Sequence, residues 1–324
     1  MNKGITVLVC TYNGATRLAK TIEHLASQKT GPALKWELIV IDNASKDDSA
    51  AVAQTEWNKY NLPSVPFIIL SEQKPGKIYA LELGAAKAKF EYLLICDDDN
   101  WLNPDYLERM YAVLDHHPQV GAVGGQGIAV CDLPSLPTWF RDYAEGYATG
   151  KQRPQTGDAT TNGHLWGAGL GTRTSLYQQM YMGFPSLLTG RLGKQLTAGE
   201  DAEYCQRLIL ADYKLYYDEN LIFKHYMPEN RLQSEYRVNL FKGFTESNKI
   251  LHKYYLANAL KLKSEKNLLT KMRLLLVTPF RFLTASTIER KEKAKDTLIF
   301  LSPFEIGKNT VMLKIKKFYQ AVHR

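Results

Sequence analysis

Three consecutive carboxylates, Asp97, Asp98 and Asp99, follow the apolar run Leu93-Leu94-Ile95-Cys96 and precede Asn100-Trp101. Adjacent acids repel one another, and the repulsion grows as water is removed from them. A bound divalent cation relieves it, and hard carboxylate oxygens suit Mg²⁺ or Mn²⁺. A solvated acidic turn capping a helix from about Pro104 accounts for the same residues without any chemistry. A second acidic pair, Glu200-Asp201, follows Gly199 and opens an amphipathic pattern through Tyr204, Cys205, Leu208 and Ile209. Acids in a first helical turn are favoured by the helix dipole, so this pair also has a purely structural explanation. His225 stands at the end of Leu221-Ile222-Phe223, and a lone His is more often structural than catalytic.

These residues need elements to hold them. Ile5-Thr6-Val7-Leu8-Val9-Cys10 reads as a buried strand ending at Thr11-Tyr12-Asn13-Gly14, followed by a helix with Leu18, Ile22 and Leu25 on one face. Trp36 to Ile41 repeats the pattern, ending at Asp42-Asn43-Ala44-Ser45 before a helix over about 47–60. Phe67-Ile68-Ile69-Leu70 is a third strand, then Pro75-Gly76 and a helix through Ala80, Leu81 and Gly84-Ala85. The acidic triplet ends the fourth strand. Four β-α units in about a hundred residues imply a mostly parallel α/β sheet with helices on both faces, its ligands bound at the carboxyl ends of the strands. Residues 131–163 are irregular, and a loop that long inside a domain is usually functional or mobile. The 131–198 region is expected to shape part of the site. Leu215-Tyr216-Tyr217 and Leu221-Ile222-Phe223 read as two short strands.

The composition of this 324-residue chain, 45% hydrophobic and 23% charged, is that of a soluble globular protein. Cys10, Cys96, Cys131 and Cys205 are widely spaced and read as reduced thiols of a cytosolic protein. Met1-Asn2-Lys3-Gly4 leads straight into a strand, so no signal peptide is expected, and no run reaches the apolar length of a spanning helix. Net charge is uneven. Residues 1–227 hold 21 Lys and Arg against 25 Asp and Glu, whereas residues 228–324 hold 20 against 8. The basic part therefore calls for an anionic partner, a membrane surface or an anionic substrate; no nucleic acid is expected.

Taken together, Val9-Cys10-Thr11-Tyr12-Asn13, Val40-Ile41-Asp42-Asn43-Ala44-Ser45, Cys96-Asp97-Asp98-Asp99 and Gly199-Glu200-Asp201 stand in the order seen in a known family. The chain resembles the family 2 glycosyltransferases, inverting enzymes with the nucleotide-sugar-binding GT-A fold, over about residues 4–228. The resemblance implies a GT-A domain at 1–228 and a mainly helical, basic region at 229–324. It implies that Thr11, Tyr12 and Asn13 hold the nucleoside and that Asp42 hydrogen-bonds the base, typically uracil. Asp97 and Asp99 match the outer residues of the D-x-D motif, the first near the ribose and the last on a metal, with Asp98 between them in the nucleotide-sugar set. Lys77 falls where many members carry a basic residue near the diphosphate, although the family's local Ala-Arg-Asn wording is absent. Asp201 matches the catalytic base, with Glu200 beside it, and His225 a further metal ligand found in some GT-A enzymes.

The implied reaction is transfer from a nucleotide sugar, a UDP-sugar in the first instance, to a saccharide or lipid-linked glycan acceptor in cell-surface polysaccharide synthesis. The implied cofactor is Mn²⁺ or Mg²⁺. A nucleotidyltransferase uses a similar domain, but Thr11-Tyr12-Asn13-Gly14-Ala15 lacks the glycine-rich basic loop of that class. A non-catalytic nucleotide-sugar or glycan-binding scaffold is the other alternative. In the basic region, Val238, Phe241, Phe244 and Ile250-Leu251 suggest one helix, and Leu268 through Phe282 another, interrupted at Pro279. Leu268–Val277 and Met312–Tyr319 mix aliphatic bulk with Lys and Arg, as interfacial helices do. That pattern is expected of a cytoplasmic protein lying peripherally on the inner membrane face; a helical appendage packing its apolar side on the domain explains it equally.

Overall fold

A computed structural model describes residues 1–188, 190, 197–266 and 268–324. Its first part alternates strands and helices: β1 (Asn2–Thr11), α1 (Leu18–Ala26), β2 (Trp36–Asp42), α2 (Ser49–Asn58), β3 (Phe67–Ser71), α3 (Lys77–Lys87) and β4 (Phe90–Asp97). The chain continues through β5 (Asn100–Leu102), α4 (Tyr106–His116), β6 (Val120–Val130), α5 (Phe140–Tyr143), β7 (Gly157–Asp158), β8 (Leu170–Arg173) and α6 (Thr174–Tyr181). Then come α7 (Glu200–Leu210) and β9 (Lys214–Tyr226). Four helices finish it: α8 (Ser234–Lys266), α9 (Leu268–Thr284), α10 (Ile288–Leu301) and α11 (Val311–Val322).

The sheet order is β3-β2-β1-β4-β8-β6-β9-β5, with β7 paired to β9. The first four strands are parallel neighbours, as the β-α repeat requires. Beyond β4 the sheet becomes mixed, since β8 runs antiparallel to both β4 and β6. Each β1 and β2 residue type follows from position: Ile5, Val7, Val9, Leu38 and Val40 pack with α1 and α2, while Leu8, Ile39 and Ile41 pack on the opposite side with α3. Both faces are covered, so these strands read as unbroken apolar runs rather than alternating ones.

β9 is one strand of thirteen residues, not the two short strands expected. A register shift between the Gly124 and Gln126 pairings lets Asp218-Glu219-Asn220 pass without ending it. Its far end matters most, because β5 pairs antiparallel with β9 in a register that sets Asn100 opposite His225. Residues 125 positions apart are thereby set side by side.

The C-terminal helices are fastened to the domain by a buried ion pair. Arg207 of α7, 1% exposed, donates to Glu203 Oε1 at 2.8 Å and to the Tyr254 hydroxyl at 3.0 Å. It also donates to the carbonyls of Met180, Phe184 and Pro185. The Tyr254 hydroxyl donates in turn to Glu203 at 2.8 Å, so α8 is tied to α7 through a fully partnered charge. Helix α9 runs through Pro279 to Thr284 rather than breaking there.

Helix α11 is not an interfacial element. Met312, Leu313, Ile315 and Phe318 are buried, and Phe318 meets Phe184 edge-on at 5.5 Å. Lys316 is buried too, its ammonium donating to the carbonyls of Ser302 and Phe304 at 2.8 Å each. A lysine over the carbonyl end of α10 looks in sequence like a solvated basic face, but it is a cap. Phe318→Ala is therefore expected to lower stability by about 3–5 kcal/mol, read from the urea midpoint. A solvated helix would show no such loss.

Candidate active site

The acidic triplet lies at the carboxyl end of β4, and each of its side chains is matched to a different cation. Asp97, part exposed, pairs with Lys77, the first residue of α3. Asp98 receives two bonds from Arg17, Nε to Oδ1 at 3.1 Å and Nη2 to Oδ2 at 2.7 Å, and a third from the Thr11 hydroxyl at 2.7 Å. Asp99 Oδ2 lies 2.6 Å from Arg231, in the turn Glu229–Leu232 that follows β9. Gly14 fits here because a Cβ would collide with the Thr11 hydroxyl and the Asp98 carboxylate.

The two buried carboxylates are driven apart in acidity. Burial raises the Asp98 pKa and the neighbouring Asp99 charge raises it further, against Arg17. Burial would raise Asp99 as well, but Arg231 and His225 outweigh it and hold its carboxyl far below the usual range. Lys77 binds its proton more tightly than a free lysine: burial opposes this, and Asp97, with Glu200 adding to the field, more than reverses it.

His225 fits a metal-ligating role by its tautomer. Its Nδ1 lies 2.8 Å from the Tyr147 carbonyl, which only accepts, so Nδ1 carries a hydrogen. The other ring nitrogen, Nε2, lies 3.3 Å from Asp99 Oδ1, hydrogen-bonded to it when it carries a proton and open to a metal when it does not. An imidazole nitrogen and a carboxylate oxygen thus lie side by side. Among the described residues no group of three or more acidic, His or Cys side chains gathers in this way. The set fits a divalent ion shared with phosphate oxygens rather than one caged wholly by protein.

Asp201 sits opposite, in the first turn of α7. Its Oδ2 accepts from the Gly167 amide at 2.7 Å and its Oδ1 from the Ala202 amide at 2.8 Å. One cavity of about 1070 Å³ joins the two halves. Thr11, Tyr12, Arg17, Lys77 and the acidic triplet line one side, and Gly167, Glu200 and Asp201 another. Helix α8 closes it with Phe241, Phe244, Ser247, Asn248, Leu251 and Tyr255, all from beyond residue 228. Asn13 and Asp42 are not brought to this wall. Asn13 Oδ1 accepts from the Lys46 amide and Asp42 Oδ1 from the Ser45 amide, while Tyr12, Asn43, Ala44 and Lys46 face the cavity there. Of the 131–198 region expected to shape part of the site, residues within 142–148 and 164–170, with Tyr177, Tyr181 and Ala198, line the cavity; 189 and 191–196 lie outside the described residues.

The family model described as Glycosyl transferase family 2 matches residues 6–178, more than half of the chain. The chain belongs to glycosyltransferase family 2. Among curated relatives of this family member, the poly(ribitol-phosphate) beta-N-acetylglucosaminyltransferase TarS of Staphylococcus aureus is 29% identical over 38% of this chain and 21% of its own length. The human dolichyl-phosphate beta-glucosyltransferase is 33% identical over 30% of this chain and 31% of its own. These alignments thus span about a fifth to a third of each relative. Two solved structures cover nearly all of it. TarS 1–349 in complex with UDP-GlcNAc aligns with 98% of this chain and 90% of its own, at a TM-score of 0.56 and 15% identity. The mannosyltransferase PcManGT of Pyrobaculum calidifontis, in complex with GDP-Man and Mn²⁺, aligns with 100% and 86%, at 0.56 and 18%. The architecture is GT-A, with a helical C-terminal region.

Arg17 and Arg231 were absent from the sequence reading. Arg17 stands at the N-cap of α1, and a cation there opposes the helix dipole, which is the signal that could have marked it. Arg231 carries no such signal. Arg17→Met is expected to cost about 3 kcal/mol at pH 8, by leaving Asp98 buried without its partner. The cost should shrink as pH falls toward 5, because the Asp98 pKa is raised in the folded protein and a protonated Asp98 needs no counter-charge. Urea midpoints at the two pH values measure it.

Proposed function

We propose that this protein is an inverting glycosyltransferase that moves a sugar from a UDP-sugar to a hydroxyl of a saccharide or lipid-linked saccharide, in cell-surface polysaccharide synthesis. The observation that carries this reading is the placing of Asp201 and the cation-matched acidic triplet across one cavity. The UDP-GlcNAc complex of TarS and the GDP-Man complex of PcManGT support a nucleotide-sugar donor for this architecture. Residues 1–228 are taken as the GT-A domain and 229–324 as the basic helical region, with Arg231 and α8 completing the site of the former.

In this reading the nucleoside lies over Thr11 and Tyr12, with Asn13 and Asp42 shaping the loops behind them. The diphosphate lies toward Lys77 and Arg231, whose charges suit its oxygens. Asp97 positions Lys77 and the ribose side of the donor, and Asp98 positions Arg17 beside them. Asp99 and His225 would hold Mn²⁺ or Mg²⁺, a Lewis acid for the charge of the departing diphosphate. Asp201, with one lone-pair direction of each oxygen taken by a backbone amide, accepts the proton of the acceptor hydroxyl. As the acceptor oxygen bonds to the anomeric carbon, the bond to the diphosphate breaks, and the nucleoside diphosphate leaves with that electron pair. Glu200, adjacent in the cavity, orients the reacting sugar.

Two measurements test the reading. Asp201→Asn is expected to lower transfer by about 10²–10⁴-fold while donor affinity in calorimetry stays within about twofold. Near-full transfer by that variant would remove Asp201 as the base. Across a panel of UDP-, GDP- and dTDP-sugars, one UDP-sugar is expected to bind, more weakly in EDTA and again tightly on adding Mn²⁺ or Mg²⁺. A folded protein that binds none of them would overturn the donor assignment.

A further inference from the structure

Helix α9 is apolar on two opposite sides. One side packs inward: Leu274 and Leu275 lie against the main core, and Thr278 is buried with its hydroxyl donating to the Leu274 carbonyl. The other side carries Leu269, Met272, Leu276, Phe280 and Leu283, each between 52% and 78% exposed. At 3.6 residues per turn these five fall within an arc of about 80° and extend about 21 Å along the axis. A helix that is apolar all round is ordinarily covered all round. Here one complete face, made of the largest aliphatic and aromatic side chains, meets solvent.

Charge selects what covers it. Residues 268–288 contain Lys271, Arg273 and Arg281 and no acidic residue, within a C-terminal part that is strongly basic. Arg273 is exposed and borders the stripe. A second copy of the chain seated on this face would set these cations against their own kind, whereas an anionic surface complements them. No described helix is long and apolar enough to cross a membrane, so the geometry is that of an element lying on a surface.

We propose that the stripe Leu269–Met272–Leu276–Phe280–Leu283 docks this protein on an anionic lipid bilayer, with the apolar side chains at the headgroup–acyl boundary and Arg273 and Arg281 among the lipid phosphates. The surface is local to α9. Helix α11, whose sequence has the same character, is packed in the core and takes no part. The proposal goes beyond the transfer reaction and does not rest on it.

The test is vesicle flotation of the full chain. Phosphatidylcholine vesicles are compared with vesicles in which about a third of the lipid is phosphatidylglycerol. The double variant Leu276→Ser/Phe280→Ser and the charge variant Arg273→Glu/Arg281→Glu are run beside the wild type, with light scattering for oligomeric state. The wild type is expected to float with the anionic vesicles and not the neutral ones, and raised salt should release it. Each variant should bind at least about tenfold more weakly while keeping its circular dichroism and its donor affinity. Wild type that binds neither vesicle, or serine variants that bind as tightly as wild type, would overturn the proposal. A wild-type dimer that the serine variant converts to monomer, without vesicle binding, would overturn it in favour of a second copy.

Discussion

Three carboxylates on consecutive residues at the end of a buried strand form an arrangement that cannot stand alone. Two of them are almost wholly removed from water, where an unpaired carboxylate costs several kcal/mol. The chain answers with one cation for each acid, and the three come from separate places: Arg17 at the start of α1, Lys77 at the start of α3, and Arg231 beyond β9. Two of these sit at helix N-termini, where the dipole disfavours them, so the acids and cations hold each other in positions neither would take alone. The result is a rim of fixed alternating charge at the point where the parallel sheet changes partner strands.

The other side of the site depends on a second buried pair. Glu203 and Arg207 lie on α7 within two turns of Asp201, and their hydrogen bonds reach α8 and the chain after α6. The helix that presents Asp201 is therefore aimed by the same contacts that fix the C-terminal helices. Its carboxylate is further held by the Gly167 amide, where a Cβ would come within 3.2 Å of Asp201. The helical region is consequently part of the site, both through Arg231 and through the α8 wall, rather than an independent appendage.

Those dependencies divide α8 and α9 in function. The first half of α8 faces the cavity with aromatic and small polar residues, whereas α9 turns apolar side chains outward. The C-terminal region thus closes the cavity at one end and offers a surface patch at the other. Its net positive charge is spent in both ways, some of it buried as Lys316 and Lys261 over helix-end carbonyls and some left exposed along α9.

Much of this was legible in the sequence. The β-α repeat, the acidic triplet at a strand end, the Glu-Asp pair opening a helix and the family itself rest on local pattern: apolar period, turn chemistry and contiguous motifs, which do not depend on distant residues. The tertiary structure alone decided the rest. Long-range register set His225 beside Asp99, the turn after β9 delivered Arg231, and the ladder made β9 a single strand across a polar break. It also separated two helices of nearly identical amphipathic composition, burying α11 and leaving one face of α9 in solvent. Composition states that a side is apolar or basic; which surface it meets is set by packing between elements far apart in the chain, and no local pattern records that.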